Sequence, residues 1–388
     1  MKKFFQYFSL FTLIFFMFGL YRALPINANL LYLLFSIINI TGIFLFGKFF
    51  IFNRTNHRIV FSLFSLLLLM IFSLIFLESR QIGIKYLFSH IYCFTFYLVT
   101  INSLRVFLTP AFIQTAYKML LMSILIVSIL MSLEGFFYYN FGQFNIASGA
   151  RADGFFGNPN HASLILSLSY AMITQIEQSN LIKRIRFSRF LPLIVFIAIA
   201  ASFSKGSMIG FIILFIYFAL YDNKSFPIYL IPIFSLFFIF FDGIIYYLEF
   251  NELVHRNSLS RVFSQSTFFD SLDSRLQVIP YALNEFSKNP LFGNGVGYNF
   301  IWSFDYASHN IFLLYMVDLG IIGLMIISYF IYQIYKIYPP FFLLFLVGCF
   351  FNHNILSVVE FYVLVAILTI VKDLKTELDY SKINKAIL

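Results

Sequence analysis

The sequence predicts an all-α, polytopic integral membrane protein with about twelve transmembrane helices and one long outer loop. Three observations predict it. Of the 388 residues, 61% are hydrophobic and only 11% are charged, whereas a soluble domain carries about 45–50% apolar and about 25% charged residues. Apolar runs long enough to cross a bilayer recur along the whole chain. The basic residues also divide unevenly between the loops, as they do in membrane proteins. Disordered, collagen-like and coiled-coil classes are excluded by the same composition. The aromatic load of 21%, with 57 Phe, suits lipid-facing surface.

The apolar segments fall at 4–21, 29–47, 59–77, 86–104, 118–138, 161–177, 191–204, 207–221, 227–247, 309–334, 340–351 and 355–371. The first follows Met1-Lys2-Lys3 and fills a full span without a small-x-small cleavage site, so it reads as a retained helix. Segments 191–204 and 207–221 are short and meet at Phe203-Ser204-Lys205-Gly206-Ser207, which predicts two helices joined by a tight polar turn. Asn352-His353-Asn354 marks a second such turn. Cys93 and Cys349 lie inside apolar runs and read as packing residues.

Placing the N-terminus in the cytoplasm and alternating puts 17 of the 26 basic residues inside and 9 outside. Both termini are therefore expected in the cytoplasm, with Lys183, Arg184, Arg186 and Arg189 as the firmest inner anchor. The net charge of +9 is read as this topology signal, with no nucleic-acid partner. The chain reads as a single membrane domain over 1–388. Residues 248–308 form its one loop long enough for structure of its own. In that loop Asp273 is expected to start a short amphipathic helix that Asn289-Pro290 ends.

Four groups of polar residues need a physical reason. The run Arg151-Ala-Asp-Gly154-Phe-Phe-Gly157-Asn158-Pro159-Asn160-His161-Ala-Ser163 reads as a tight loop whose Asn160 or Ser163 caps the next helix. Lys205, between two apolar runs, has two readings: a lysine reaching the interface or a cation that binds a ligand. Asn289-Pro290-Leu-Phe-Gly293-Asn-Gly295-Val-Gly297 contains no G-x-G-x-x-G, so a nucleotide site is rejected and a structural turn is the default. His309-Asn310 opens an apolar helix in which Gly320 and Gly323 are expected to allow close helix packing. Glu134 and Glu360, carboxylates inside spans, are expected to pair with cations or line a cavity.

A chemistry follows from cations on the outer side. Arg forks bind phosphate oxygens with fixed geometry, and positive charge stabilises a departing diphosphate. A histidine beside them is suited to take a proton from an attacking sugar hydroxyl. Asp270, Asp273 and Glu285 lack metal-ligand spacing, so neither metal nor cofactor is expected.

At these residues the sequence resembles the O-antigen ligase/polymerase superfamily of bacterial envelope proteins. The matching pieces are the Arg151 to Asn160 loop, the Ser204-Lys205-Gly206 turn, the Arg275 to Gly297 run and His309-Asn310 followed by Gly320-x-x-Gly323. They cover about 140–335 in the superfamily's order. The resemblance implies a metal-free, GT-C-type membrane glycosyltransferase of the bacterial inner membrane. Its loop 248–308 would be periplasmic. The donor would be a glycan on undecaprenyl diphosphate, and the acceptor lipid A-core for a ligase or another glycan for a polymerase. The His-Asn motif agrees with ligases, and polymerases share much of it. Carried across, His309 would activate the acceptor hydroxyl, Arg275 would bind the diphosphate, and Lys205 and Arg151 would assist. Lys205 stands where the family usually has Arg, which keeps the charge and loses the fork. A lipid-glycan flippase is the rival class, but the two similar halves common in transporters are not seen.

Overall fold

The computed structural model describes residues 1–47, 54–76, 80–107, 109–137, 152–202, 204–221, 265–302, 310–351 and 355–387. Every regular element among them is helical. The α-helices are α1 (Lys2–Met17), α2 (Ala28–Phe46), α3 (Arg54–Ser73), α4 (Arg80–Phe107), α5 (Pro110–Phe137), α6 (Pro159–Gln178), α7 (Leu191–Ala201), α8 (Lys205–Tyr221), α9 (Gln265–Lys288), α10 (Ile311–Ile337), α11 (Pro339–Phe351) and α12 (Val359–Ile387). Each expected apolar segment coincides with a helix, except 227–247, which lies outside the described residues, as does the expected turn at Asn352-His353-Asn354. The expected pair of short helices around Ser204-Lys205 is present as α7 and α8.

Among the described residues five helices are long and apolar enough to cross a membrane: Ala28–Phe46, Asn56–Ser73, Gln81–Phe107, Ala111–Gly135 and Ile311–Ile337. Gly206–Tyr221 and Pro339–Phe351 are apolar but shorter. The chain is an integral membrane protein. Its lipid-suited surface is visible in stripes at helical spacing, such as Leu30, Leu33, Leu34 and Ile37 on α2 and Met122, Ile126 and Ile129 on α5.

The centre is built differently. In α6 every residue from His161 to Ile176 is buried, and so is every residue of α12 from Val359 to Val371. A helix apolar on all sides belongs inside a bundle. α6 still carries hydroxyls, and these bond back to its own carbonyls, as Ser167 does to Ser163 O at 2.7 Å. Around this centre α12 packs along α4, α5 along α7, α10 along α3 and α11 along α8. Cys93 and Cys349 are both buried in the core.

Two expectations need correction. The helix expected to start at Asp273 starts at Gln265 instead, although it ends at Lys288 as Asn289-Pro290 requires. Gly320 is not a packing glycine in a continuous helix. It breaks α10, with φ 67° and ψ −163°.

Candidate functional site

The loop before α6 is a compact built object. Gly154 and Gly157 have φ of 55° and 66°, a region open to glycine without strain. Asn158, rather than Asn160 or Ser163, caps α6: its Oδ1 accepts from Asn160 N at 2.9 Å and His161 N at 3.2 Å. Pro159 occupies the first helical position, where its missing N–H costs nothing. The Glu134 carboxylate at the end of α5 accepts from Asp153 N at 3.1 Å and Gly154 N at 2.8 Å. Glu134 thus holds the loop backbone.

This loop meets the α7–α8 turn. Ala152 N donates to Ala201 O at 3.3 Å, at the end of α7. Gly135 makes the approach possible, since a Cβ there would stand 2.5 Å from Ala201 O. The Ser163 and Ser207 hydroxyls are 2.8 Å apart, and Ser204 Oγ is 3.2 Å from Ser207 Oγ. The first turns of α6 and α8 are therefore tied by a chain of hydroxyls, with Lys205 as the first residue of α8. Arg151 lies outside the described residues, next to Ala152. The backbone of Lys205 is described and its side chain is not.

A third component is only half legible in the sequence. Arg22 follows α1, and its Nη2 lies 2.9 Å from Oε1 of Glu360, which is fully buried at the start of α12. Tyr21 OH donates to the same oxygen at 3.0 Å. Arg22 Nη1 donates to Phe156 O in the loop before α6. His161 Nε2 is 3.8 Å from Glu360 Oε1, beyond hydrogen-bond reach. Burial opposes the charge on Arg22, but Glu360 more than restores it and holds the guanidinium firmly charged. Glu360 therefore pairs with a cation, one of the two roles expected of a carboxylate inside a span. Its partner, Arg22, reads in the sequence only as a topology charge. The cluster ties α1, α6 and α12 together at the loop.

The fourth component joins α9 to α10. After Lys288 the chain runs into the break in α10. Asn294 N donates to Val317 O at 2.9 Å, and Gly295 N donates to Asp318 O at 3.0 Å. In return Ile321 N donates to Pro290 O at 2.9 Å. The loop thus supplies the partners that the interrupted helix lacks, as buried irregular backbone in a membrane protein must. The approach is closest at two glycines. A Cβ on Gly293 would stand 2.4 Å from Asp318 O, and one on Gly320 would stand 2.4 Å from Leu291 O. The default reading of this run as a structural turn holds.

A small separate core of Val278, Ala282, Trp302 and Val317, with Tyr281 and Leu313 against it, fastens α9 to α10. Position 275 lies one turn before Val278 on α9. Position 309 directly precedes Asn310, which caps α10 by accepting from Phe312 N at 2.8 Å and Leu313 N at 3.3 Å. The backbone of Arg275 thus lies about one helical turn before this core. The Arg275 side chain and all of His309 lie outside the described residues.

Residues 190–328 match the family model described as O-antigen ligase. This match, over little more than a third of the chain, supports the O-antigen ligase/polymerase superfamily. The match runs from α7 into α10 and includes Lys205, Arg275, His309, Asp318 and Gly320. It does not reach the Arg151 loop. A search of curated proteins finds no match. The superfamily consists of membrane enzymes of glycosyltransferase type that act on lipid-linked glycans.

Proposed function

We propose that the protein transfers glycan from undecaprenyl diphosphate to lipid A-core, as an O-antigen ligase, at the periplasmic side of the bacterial inner membrane. In this reading the chain crosses the membrane about twelve times with both termini in the cytoplasm, and 248–308 is its periplasmic loop. What supports it is the family match over 190–328, which takes in Arg275 and His309, together with the packing of α9 on α10 through the Trp302 core inside that stretch.

The roles follow from chemistry. Arg275 grips the donor diphosphate, with Lys205 and Arg151 adding charge. The N-termini of α6 and α8, tied by Ser163 and Ser207, add two ends of positive dipole on the same side. His309 takes the proton of the acceptor hydroxyl as its oxygen bonds to the anomeric carbon. The bond from that carbon to the phosphate oxygen breaks, and the diphosphate leaves with its charge held by the cations.

The test has two stages. A deletion strain should lose all long glycan from its core; a single repeat left on the core would instead identify a repeat-unit polymerase. In detergent, with lipid-linked donor and acceptor, Arg275→Ala should abolish transfer while the protein still folds, and Arg275→Lys should lose much of it, since a point charge replaces a fork. His309→Ala should cut turnover by roughly 10²–10⁴-fold, the scale of a general base. Full activity in Arg275→Ala, or near wild-type turnover in a folded His309→Ala protein, would remove those assignments.

A further inference from the structure

Asp318 is a carboxylate only 2% exposed, inside a helix that reads as a membrane span. Such a group needs a strong reason to be there. Its two oxygens both face loop backbone: Gly297 N donates to Oδ2 at 2.8 Å and Asn299 N donates to Oδ1 at 2.9 Å. Gly297, with φ 85°, turns the chain so that both N–H groups meet one side chain. Ser73 of α3 adds a third fixing point, accepting from Val296 N at 3.1 Å. Three residues beyond Asn299 stands Trp302, 7% exposed, its ring edge-on to Tyr281 of α9 at 5.1 Å.

We infer that Asp318 is a positioning residue for the reaction: its carboxylate pins the loop so that α9, which carries Arg275, and the start of α10, which follows His309, keep a fixed separation. The inference rests on the function proposed above. A carboxyl group suits the task because its two oxygens can accept from two N–H groups at once. An amide at the same place would present an NH₂ to one of them. The pin works with the Gly320 break, which frees the Asp318 carbonyl for Gly295 N while the side chain takes Gly297 and Asn299. Main chain and side chain of one residue thus hold three points of the loop. A misplacement of about 1 Å between reacting groups can cost about 10²-fold in rate.

The test uses the full-length protein in detergent, with Trp302, the one tryptophan of the chain, as reporter. Asp318→Asn should lower kcat about 10²-fold with little change in the KM for lipid-linked donor. It should also expose Trp302 to acrylamide quenching. Asp318→Glu, which keeps the carboxyl group, should recover part of both. Arg275→Ala should lose turnover without altering Trp302 quenching, which separates loss of ligand binding from loss of position. Unchanged quenching in a folded Asp318→Asn protein overturns the pin, and so does altered quenching with wild-type kcat. If Asp318→Asn does not fold, Ser73→Ala carries the same two readings with a smaller expected change. If the wild-type protein transfers no glycan at all, the functional reading fails, and the quenching arm still decides whether Asp318 holds the loop.

Discussion

The first helices and α10 bury polar groups by opposite means. Between α1, α2 and α4 the network is neutral and centres on the Asn39 side chain, with Ser103 Oγ of α4 lying 3.5 Å from its Oδ1. Ser9 Oγ donates to Asn39 Oδ1 at 2.8 Å, and Asn39 Nδ2 donates to Thr12 Oγ1 at 3.2 Å and to Phe35 O at 2.9 Å. The helices that carry it run unbroken. In α10 the helix itself is interrupted, a carboxyl group is buried, and the loop's main chain bonds to both the main chain and the Asp318 side chain of the helix. The first pattern fastens helices to one another. The second gives up regular structure to hold a loop at a defined depth, and it lies in the stretch that matches the ligase family. An interrupted helix with a buried carboxyl group therefore distinguishes the family-matched stretch from the first helices better than polarity does.

The largest effect should come from closing the gap at the break. Gly320→Ala puts a Cβ 2.4 Å from Leu291 O and 2.7 Å from Gly293 N, both backbone atoms that cannot swing aside. It also forces an L side chain to adopt φ 67°. The expected cost exceeds about 4 kcal/mol, the range of severe lesions. Expression followed by size-exclusion chromatography in detergent should yield little monodisperse protein. A well-folded, active Gly320→Ala protein would mean that the loop and the break are not locked together.

A milder effect is expected on the other side of the comparison. Asn39→Leu removes the centre of the α1–α2–α4 network. Interhelical hydrogen bonds in membrane proteins are worth about 0.6 kcal/mol on average and about 1.7 at most. The variant should lose that much stability in thermal unfolding and keep its transfer activity. Loss of activity at unchanged stability would place the first helices in the site and dissolve the contrast.

How far the sequence can be read follows the same division. The apolar segments are legible because helical burial in lipid leaves long runs with few charges, and the end of α9 is legible because Pro290 stops a helix. The start of α9 is not, because Ser266, Thr267 and Ser271 favour turns in isolation. The α6 cap escapes the reading although its signal is present: Pro159 prefers the first helical position, which makes the residue before it the cap. Gly320 and Gly323 look like a packing pair in one helix. Only the loop at 290–294 reveals the break, and nothing local records that the two meet. The Arg22–Glu360 pair spans 338 positions, and no periodicity or motif connects residues that far apart. Of the candidate site, the residue types are readable, and the parts that hold them are not.

The smallest effect sharpens how firmly α9 is held. Glu285, 2% exposed on α9, accepts from Tyr298 OH of the loop at 2.6 Å and from Lys288 Nζ at 2.6 Å. Burial disfavours its ionised form, but the hydrogen bonds from Lys288 and Tyr298 outweigh that and hold the carboxyl below the usual carboxylate range. The sign follows from linkage. With the folded value below the unfolded one of about 4.3, the ionised group adds stability above that pH, and the contribution fades as the pH falls through the folded value. Wild-type protein should therefore lose stability more steeply below about pH 5 than Glu285→Gln, by an amount of about 1 kcal/mol, the scale of a single hydrogen bond. Tyr298→Phe should flatten the wild-type curve part of the way, since it removes one of the two donors. Thermal unfolding in detergent across a series of pH values checks this. Parallel curves for all three proteins would show that Glu285 adds nothing to the hold on the loop.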